Sequence, residues 1–320
     1  MASQVSPFVS IHGRRFGLTP LGLEVDGRQI TSGNPTYGNT FYVHSGTGDD
    51  SRDGKSPLRA LATIDAAVNL CTANQGDAII VLPGHTETIT AADAIDLDVA
   101  GITLVGVGTG SAQPQVVFNH AAATIAIDAD GVTVAGMRFT SSITVVGVGI
   151  NIKAGATDAA VLGNRFDVEA TTTDEFVISI QVNAGCDRAR IEGNDIDNGL
   201  GGAAVGIKLT GASDRVVIRK NYITGDYSTA CINGITTLST NVLIEDNLLV
   251  QGIAGNIGTE PGIELLTGTT GIVRRNDIVC NLATMAASIV ADAVFMFENY
   301  YNEDAAGTGA LIGTASADDL

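Results

Sequence analysis

Laid under one another, a series of segments repeats the same order of apolar and polar positions: VTVAGMRF from Val132, AVLGNRFDV from Ala160, ARIEGNDID from Ala189, VVIRKNYIT from Val216, VLIEDNLLV from Val242, IVRRNDIV from Ile272 and VFMFENYY from Val294. Alternation of this kind has the period of a strand. A turn former closes each segment: Asn164, Asn194, Asn221, Asn247, Asn276 and Asn299 are spaced 30, 27, 26, 29 and 23 residues apart, and Met137 holds the place one repeat earlier. A second apolar strand precedes each segment, near Ile125, Ile150, Ile178, Ile207, Ile232, Ile263 and Ile289, joined to it by links such as DADG or TGASD. Two strands per repeat in a constant order predict parallel sheets, and the period is that of a solenoid. The expected fold is all-β, a right-handed single-stranded parallel β-helix whose coils run from 101 to 302.

The Asn column has a physical reason. Asn tolerates left-handed backbone angles, and its amide both donates and accepts along a stack of identical turns. These six residues are therefore read as a structural ladder. Two residues before the Asn stand Glu192, Arg219, Glu245 and Arg274, and one before it stand Lys220, Asp246, Arg275 and Glu298. Signs alternate along both rows, so coils stacked about 4.8 Å apart bring opposite charges together. That favours correct register and argues against a catalytic carboxylate pair at this corner.

The ends of such a stack need covers. In residues 59–74, Leu61, Ile64, Ala67, Val68 and Cys71 fall at helical spacing and predict an N-terminal capping helix. At the other end Phe295, Phe297, Tyr300 and Tyr301 are expected to close the core, with 303–320 as a C-terminal tail. Residues 41–302 are thus the β-helix with its cap, and residues 1–40 lie outside the repeat.

Composition narrows the roles. Hydrophobic residues make up 45% of 320, too many for a disordered chain, and no apolar run is long enough to span a membrane as a helix. The N-terminus lacks the order of a secretory signal. A net charge of −18, with residues 1–40 at +1 and the remainder at −19, argues against nucleic acid or anionic lipid as a partner. Cys71, Cys186, Cys231 and Cys280 are scattered without metal-site spacing, and read as buried thiols.

The run FYVHSGTGDDSRDGKSPLRALATIDAAVNLC, followed by GDAIIVLPGHTETI and the coils, resembles the opening of β-helix proteins of the pectate-lyase-like superfamily, especially those of tailed bacteriophage particles. The resemblance covers 41 to about 302. It implies a virion protein assembled in the host cytoplasm, commonly a homotrimer, with capsid or tail proteins as partners. Residues 1–40, including SIHGRRFGL, are similar to short segments that tether phage proteins to the particle. Phe8, Ile11, Arg14, Arg15, Phe16 and Leu18 are the docking candidates there, combining charge-assisted hydrogen bonds with apolar anchors. A second possibility for this segment is an extra strand under the cap helix.

Enzyme signatures of that superfamily are sparse in this chain. There is no Gly-His-Gly and no Arg-x-Lys; His85 in LPGHTE reads as a loop histidine at a strand end. Asp49, Asp50 and Asp53 before Gly54 offer calcium-like oxygen density, but the spacing departs from the twelve-residue calcium loop and the expected reading is a solvated turn. Neither a metal nor a cofactor is assigned. Asp195, Asp197, Asp226 and Glu264 are acids without a role, and glycoside hydrolysis needs only two carboxylates about 5 to 9.5 Å apart. With no Trp and few aromatics, the expectation is a non-enzymatic structural protein, a capsid decoration protein of the head-fibre or cement kind. The alternative is a tail spike that binds or cleaves host surface polysaccharide.

Overall fold

The computed structural model describes residues 38–168, 175–199, 203–253, 256–257, 260–280 and 288–302, with strands also at Val9–Ile11, Arg14–Thr19, Gly22–Val25, Arg28–Gln29 and Ala310–Ile312. Residues 40–302 wind into a parallel β-helix of three sheets. One coil shows the plan. Arg190–Glu192 lies in the first sheet, Asp195–Asp197 in the second and Val205–Leu209 in the third, and each strand pairs in parallel with its counterparts one coil away. A coil therefore has three strands. Two were expected because the turn that divides the repeated segment is only two residues long, as with Gly193 and Asn194, and hydrophobic alternation runs on through it.

The column that fixes the register is aliphatic. Ile95, Ile125, Ile150, Ile180, Ile207, Ile232, Ile263 and Ile289 are successive partners across the third sheet, all essentially inaccessible to solvent. The register places Ile180, not Ile178, in this column. A one-residue slip of any coil would turn its Ile outward, and each such side chain contributes about 1.5–3 kcal/mol when buried. Inside the second sheet Phe139 and Phe166 occupy the equivalent column, with centroids 5.0 Å apart. Phe118 and Phe176 close a ring of four aromatics with them.

The N-terminal cover is shorter than its sequence pattern. The helix spans Ile64–Val68, with the Thr63 hydroxyl accepting from the Ala66 amide and the Asn69 side chain returning to the Asp65 carbonyl. Ile64, Ala67 and Val68 are buried against the first coils. Leu61 instead forms a bridge to Val43, which covers the outer side of the edge strand Thr40–Val43. At the C-terminal end Phe295 and Tyr300 do not fill the core, and the side chain of Tyr301 lies outside the described residues. Phe295 pairs with Ile272 on the outer face and is 72% exposed, while Met296, opposite the buried Val273, faces inward. From the tail, Ala310–Ile312 adds antiparallel to Asn299–Asn302 and extends the second sheet.

Residues of the first forty build a sheet of their own. Val9–Ile11, Arg14–Thr19, Gly22–Val25 and Arg28–Gln29 form a four-stranded antiparallel meander, with Val25 opposite Arg28. In the sequence the dipeptide Asp-Gly separates the last two of these strands, a hairpin signal outside the coil repeat.

Candidate functional site

The six Asn residues stand one above another at the corner between the first and second sheets, each no more than 2% exposed. Asn221 shows the pattern: its amide donates to Asn247 Oδ1 (3.0 Å) and the Ile191 carbonyl (2.9 Å), while its own Oδ1 accepts from the backbone N–H and the amide of Asn194 (3.0 Å each). The Asn side chains bond in this way from Asn164 to Asn299, and Met137 caps the series by donating its N–H to Asn164 Oδ1. The left-handed conformation belongs to the residue before each Asn: Gly163, Gly193, Lys220, Asp246, Arg275 and Glu298 all have φ between 52° and 65°. Asn keeps an ordinary φ because its amide must point along the stack.

Charges beside the ladder pair as the alternation suggests. Arg219 reaches Glu192 (2.9 Å), Arg274 reaches Glu245 (2.7 Å), and Arg275 bridges Glu245 (2.9 Å) and Asp246 (2.6 Å). Burial alone would raise the Glu192 pKa, but hydrogen bonds from Arg190 and Arg219 outweigh it and hold the carboxyl below its ordinary value. The hydrogen bond from Arg275 does the same for Asp246. Most charges of these two rows are thus paired from coil to coil.

His85 departs from the sequence reading. It is fully buried, with Nδ1 accepting from the Ser45 N–H (3.0 Å) and Nε2 beside Glu87 Oε2 (3.2 Å), and that oxygen also accepts from the Ile64 N–H at the start of the cap helix (3.0 Å). Glu87 is in register with the inward-facing Val116. A histidine and a carboxylate thus clamp the cap to the first coil, a position that the apparently polar LPGHTE string concealed. Asp49, Asp50 and Asp53 have separate partners: Ser51 for the first, the Ala62 and Thr63 amides for the second, Arg59 and the Lys55 amide for the third. Among the described residues no group of three His, Cys, Asp or Glu could hold a metal.

Of the docking candidates, Ile11, Arg14, Arg15, Phe16 and Leu18 fall on the first two strands of the N-terminal meander, where Phe16 is opposite both Val9 and Val25. Phe8 lies outside the described residues.

The four acids without a role separate onto two outer faces. On the third sheet Asp96, Ala126, Asn151, Gln181, Lys208, Asn233, Glu264 and Val290 follow one another in register. Asn233 donates to Glu264 Oε2 (2.9 Å) within the row, and Asn183, two residues beyond Gln181, donates to Asn151 Oδ1 (2.7 Å), so several of these polar groups are already engaged. On the second sheet Asp195 and Asp197 flank the buried Ile196 on one strand, which sets them about 6.6 Å apart along the backbone. Asp167 on the preceding strand accepts from Arg138 (2.9 Å) and Arg165 (2.8 Å). Burial raises the Asp195 pKa, Asp167 and Asp197 add to the effect, and Arg165 opposes it. Asp226 follows the next second-sheet strand, Tyr222–Gly225. Sequence reasoning did not single out Glu175, at the start of a third-sheet strand. Its side chain is 4% exposed, one carboxyl oxygen has no partner and burial raises its pKa.

Beyond Asp195, the second sheet's outer row continues with Tyr222, Leu248, Asp277 and Tyr300, all exposed. Rings, acids and two arginines on one regular face, projecting from a backbone whose polar groups are paired within the sheet, form the candidate recognition surface of this molecule.

The sequence matches no protein-family profile, and it matches no curated protein. Among solved structures the fold is similar to a rhamnogalacturonan lyase, at 12% identity over 76% of this chain and 72% of that one, with a TM-score of 0.38. It is likewise similar to the GH136 lacto-N-biosidase from Eubacterium ramulus, at 12% identity, 82% and 68% coverage and a TM-score of 0.38. These likenesses concern the winding of the chain and carry nothing about its activity.

Proposed function

We propose that this chain is a non-enzymatic structural protein of a tailed phage particle, a capsid decoration protein whose β-helix is displayed and whose first forty residues attach it. The reading rests on one observation: the strands between Val9 and Gln29 pair with one another in a separate antiparallel sheet, whereas the coils are bonded coil to coil. An independently paired meander with the chain's only positive balance suits attachment to another subunit, and a rigid acidic solenoid suits display. Association as a trimer about the particle's symmetry axes belongs to the same proposal. A truncation beginning at Asn39 tests it. The shortened chain is expected to keep its circular dichroism and melting, because cap and coils are intact, and to lose association with particles lacking the native protein. Undiminished decoration by the truncated chain overturns the attachment role.

A spike that engages host surface glycan is the second reading, favoured by the exposed tyrosines of the second sheet.

A further inference from the structure

Most solvent-facing positions of this β-helix are small, charged or amide-bearing. The outer row of the second sheet differs. Tyr222, Leu248, Asp277 and Tyr300 are successive partners across four neighbouring strands, and Tyr222, Leu248 and Tyr300 are 41%, 39% and 47% exposed. None of them completes the core, since Ile223, Leu249 and Ile278 beside them already do. Adjacent strands lie about 4.8 Å apart, so the two tyrosines stand about 14 Å apart along the axis. Asp195 extends the row in the other direction, and Thr224, Val250 and Val279 form a parallel row about 6.6 Å to one side. The result is a narrow, straight strip running along the axis.

We propose that this strip binds a linear, uncharged glycan laid parallel to the axis, with Tyr222 and Tyr300 as stacking platforms and Asp195 and Asp277 as acceptors for its hydroxyl groups. The inference rests on the second reading above and names the ligand's charge class and its seat. Three features select the occupant. A peptide strand would need unpaired backbone groups, and an inner sheet face presents only side chains. A partner helix needs a continuous apolar stripe, and Asp277 interrupts this one. Polyanions, including uronic-acid chains and nucleic acids, meet a body of charge −19. A neutral, hydroxyl-rich chain is what remains: aromatic rings offer flat apolar faces with a polar tip, and carboxylates take hydroxyl protons in charge-assisted hydrogen bonds. The repeat of the strip matches a polymer that presents similar rings at regular intervals.

The chain has no Trp, so its emission comes from six tyrosines, two of which lie on the strip, and the Tyr variants assign any change to them. The full-length protein is titrated with neutral hexasaccharides prepared from mannan, dextran and galactan, and with hexagalacturonate as the anionic counterpart, by fluorescence and calorimetry. At least one neutral hexasaccharide is expected to change tyrosine emission and release heat. Tyr222→Ala and Tyr300→Ala should each weaken it about tenfold, Tyr222→Phe should retain binding, and Leu58→Ala, far from the strip, should leave it unchanged. Circular dichroism of each variant checks the fold. No binding of any neutral hexasaccharide, equal binding by the Tyr222→Ala/Tyr300→Ala double variant, or tighter binding of hexagalacturonate overturns the proposal. Should binding persist in the double variant, a glycan role survives elsewhere on the molecule and the strip alone is rejected.

Discussion

The corner between the first and second sheets and the connection between the second and third lie on the same coils, yet follow opposite rules. From Met137 to Asn276 the corner is always two residues, a left-handed one and then the ladder residue. The connection runs from three residues, between Ser141 and Val145, to nine between Val279 and Ile289. Constancy marks a corner where a side-chain amide bonds through the stack, so that one altered coil would leave its neighbours with unpaired groups. Variation marks a side where neighbouring coils meet through backbone bonds, Ser228 N–H to the Ala203 carbonyl and Gly262 N–H to the Ser288 carbonyl among them, without sharing one side chain at a fixed position.

The comparison breaks most severely if its inner reference is removed. Ile180 sits mid-column, between Ile150 and Ile207, and is sealed from solvent. Ile180→Ala is expected to cost about 2–5 kcal/mol in denaturant unfolding, because rigid backbone ladders on both sides limit collapse around the cavity. A loss below 1 kcal/mol would mean that the column relaxes and does not define the register.

This interior was legible because β-helix coils repeat their inward positions faithfully: the Asn column and the Ile column alone nearly specify the winding. What escaped notice has a common cause. The third strand was hidden by a turn too short to interrupt alternation. His85 and Glu87 were invisible as a clamp because their partners, Ser45 and Ile64, are remote in sequence. The tyrosine strip was missed for the same reason: Tyr222 and Tyr300 look unrelated until the register aligns them.

At the corner itself, Asn221→Leu should cost about 1–3 kcal/mol for each polar group left unpaired, with the Asn194 backbone N–H among them. Thermal melting measures the loss. An unchanged melting temperature would show that water replaces the ladder, and the contrast between corner and connection would lose its energetic basis.

On the variable side Glu175 is a buried electrostatic liability. Its pKa is raised above the ordinary 4.5, chiefly by burial, although the Ala203 N–H opposes the shift. The folded state therefore holds this proton more tightly than the unfolded state. Its contribution favours folding below pH 4.5 and is lost as pH rises through the folded-state pKa. Glu175→Gln keeps an acceptor for the Ala203 amide and removes the charge. The variant should be more stable by about 1 kcal/mol at neutral pH, with a flatter dependence of stability on pH above 4.5. A loss of stability at pH 7 would instead assign the carboxylate a favourable partner.

The smallest effect concerns the charges on the corner. Arg275 and Asp246 meet at 2.6 Å, but both side chains keep substantial contact with solvent, and exposed pairs contribute only about 0–1 kcal/mol. A double-mutant cycle of Asp246→Asn and Arg275→Gln should give a coupling in that range, smaller still in high salt. The sign with pH also follows. The hydrogen bond from Arg275 lowers the Asp246 pKa below 3.8, so the pair's contribution is complete above that value and disappears as acid protonates the carboxylate below it. Cooperative order along the stack should nonetheless respond to charge pattern more than to pair energy. Asp246→Lys places a cation next to both Lys220 and Arg275, its neighbours in the turn row, and like charges one coil apart disfavour the native alignment. Hydrogen exchange resolved by coil should then show loosening centred on residues 216–279, while Asp246→Asn leaves exchange there nearly native. Equal exchange in the two variants would mean that ladder and isoleucine column set the register without help from the charges.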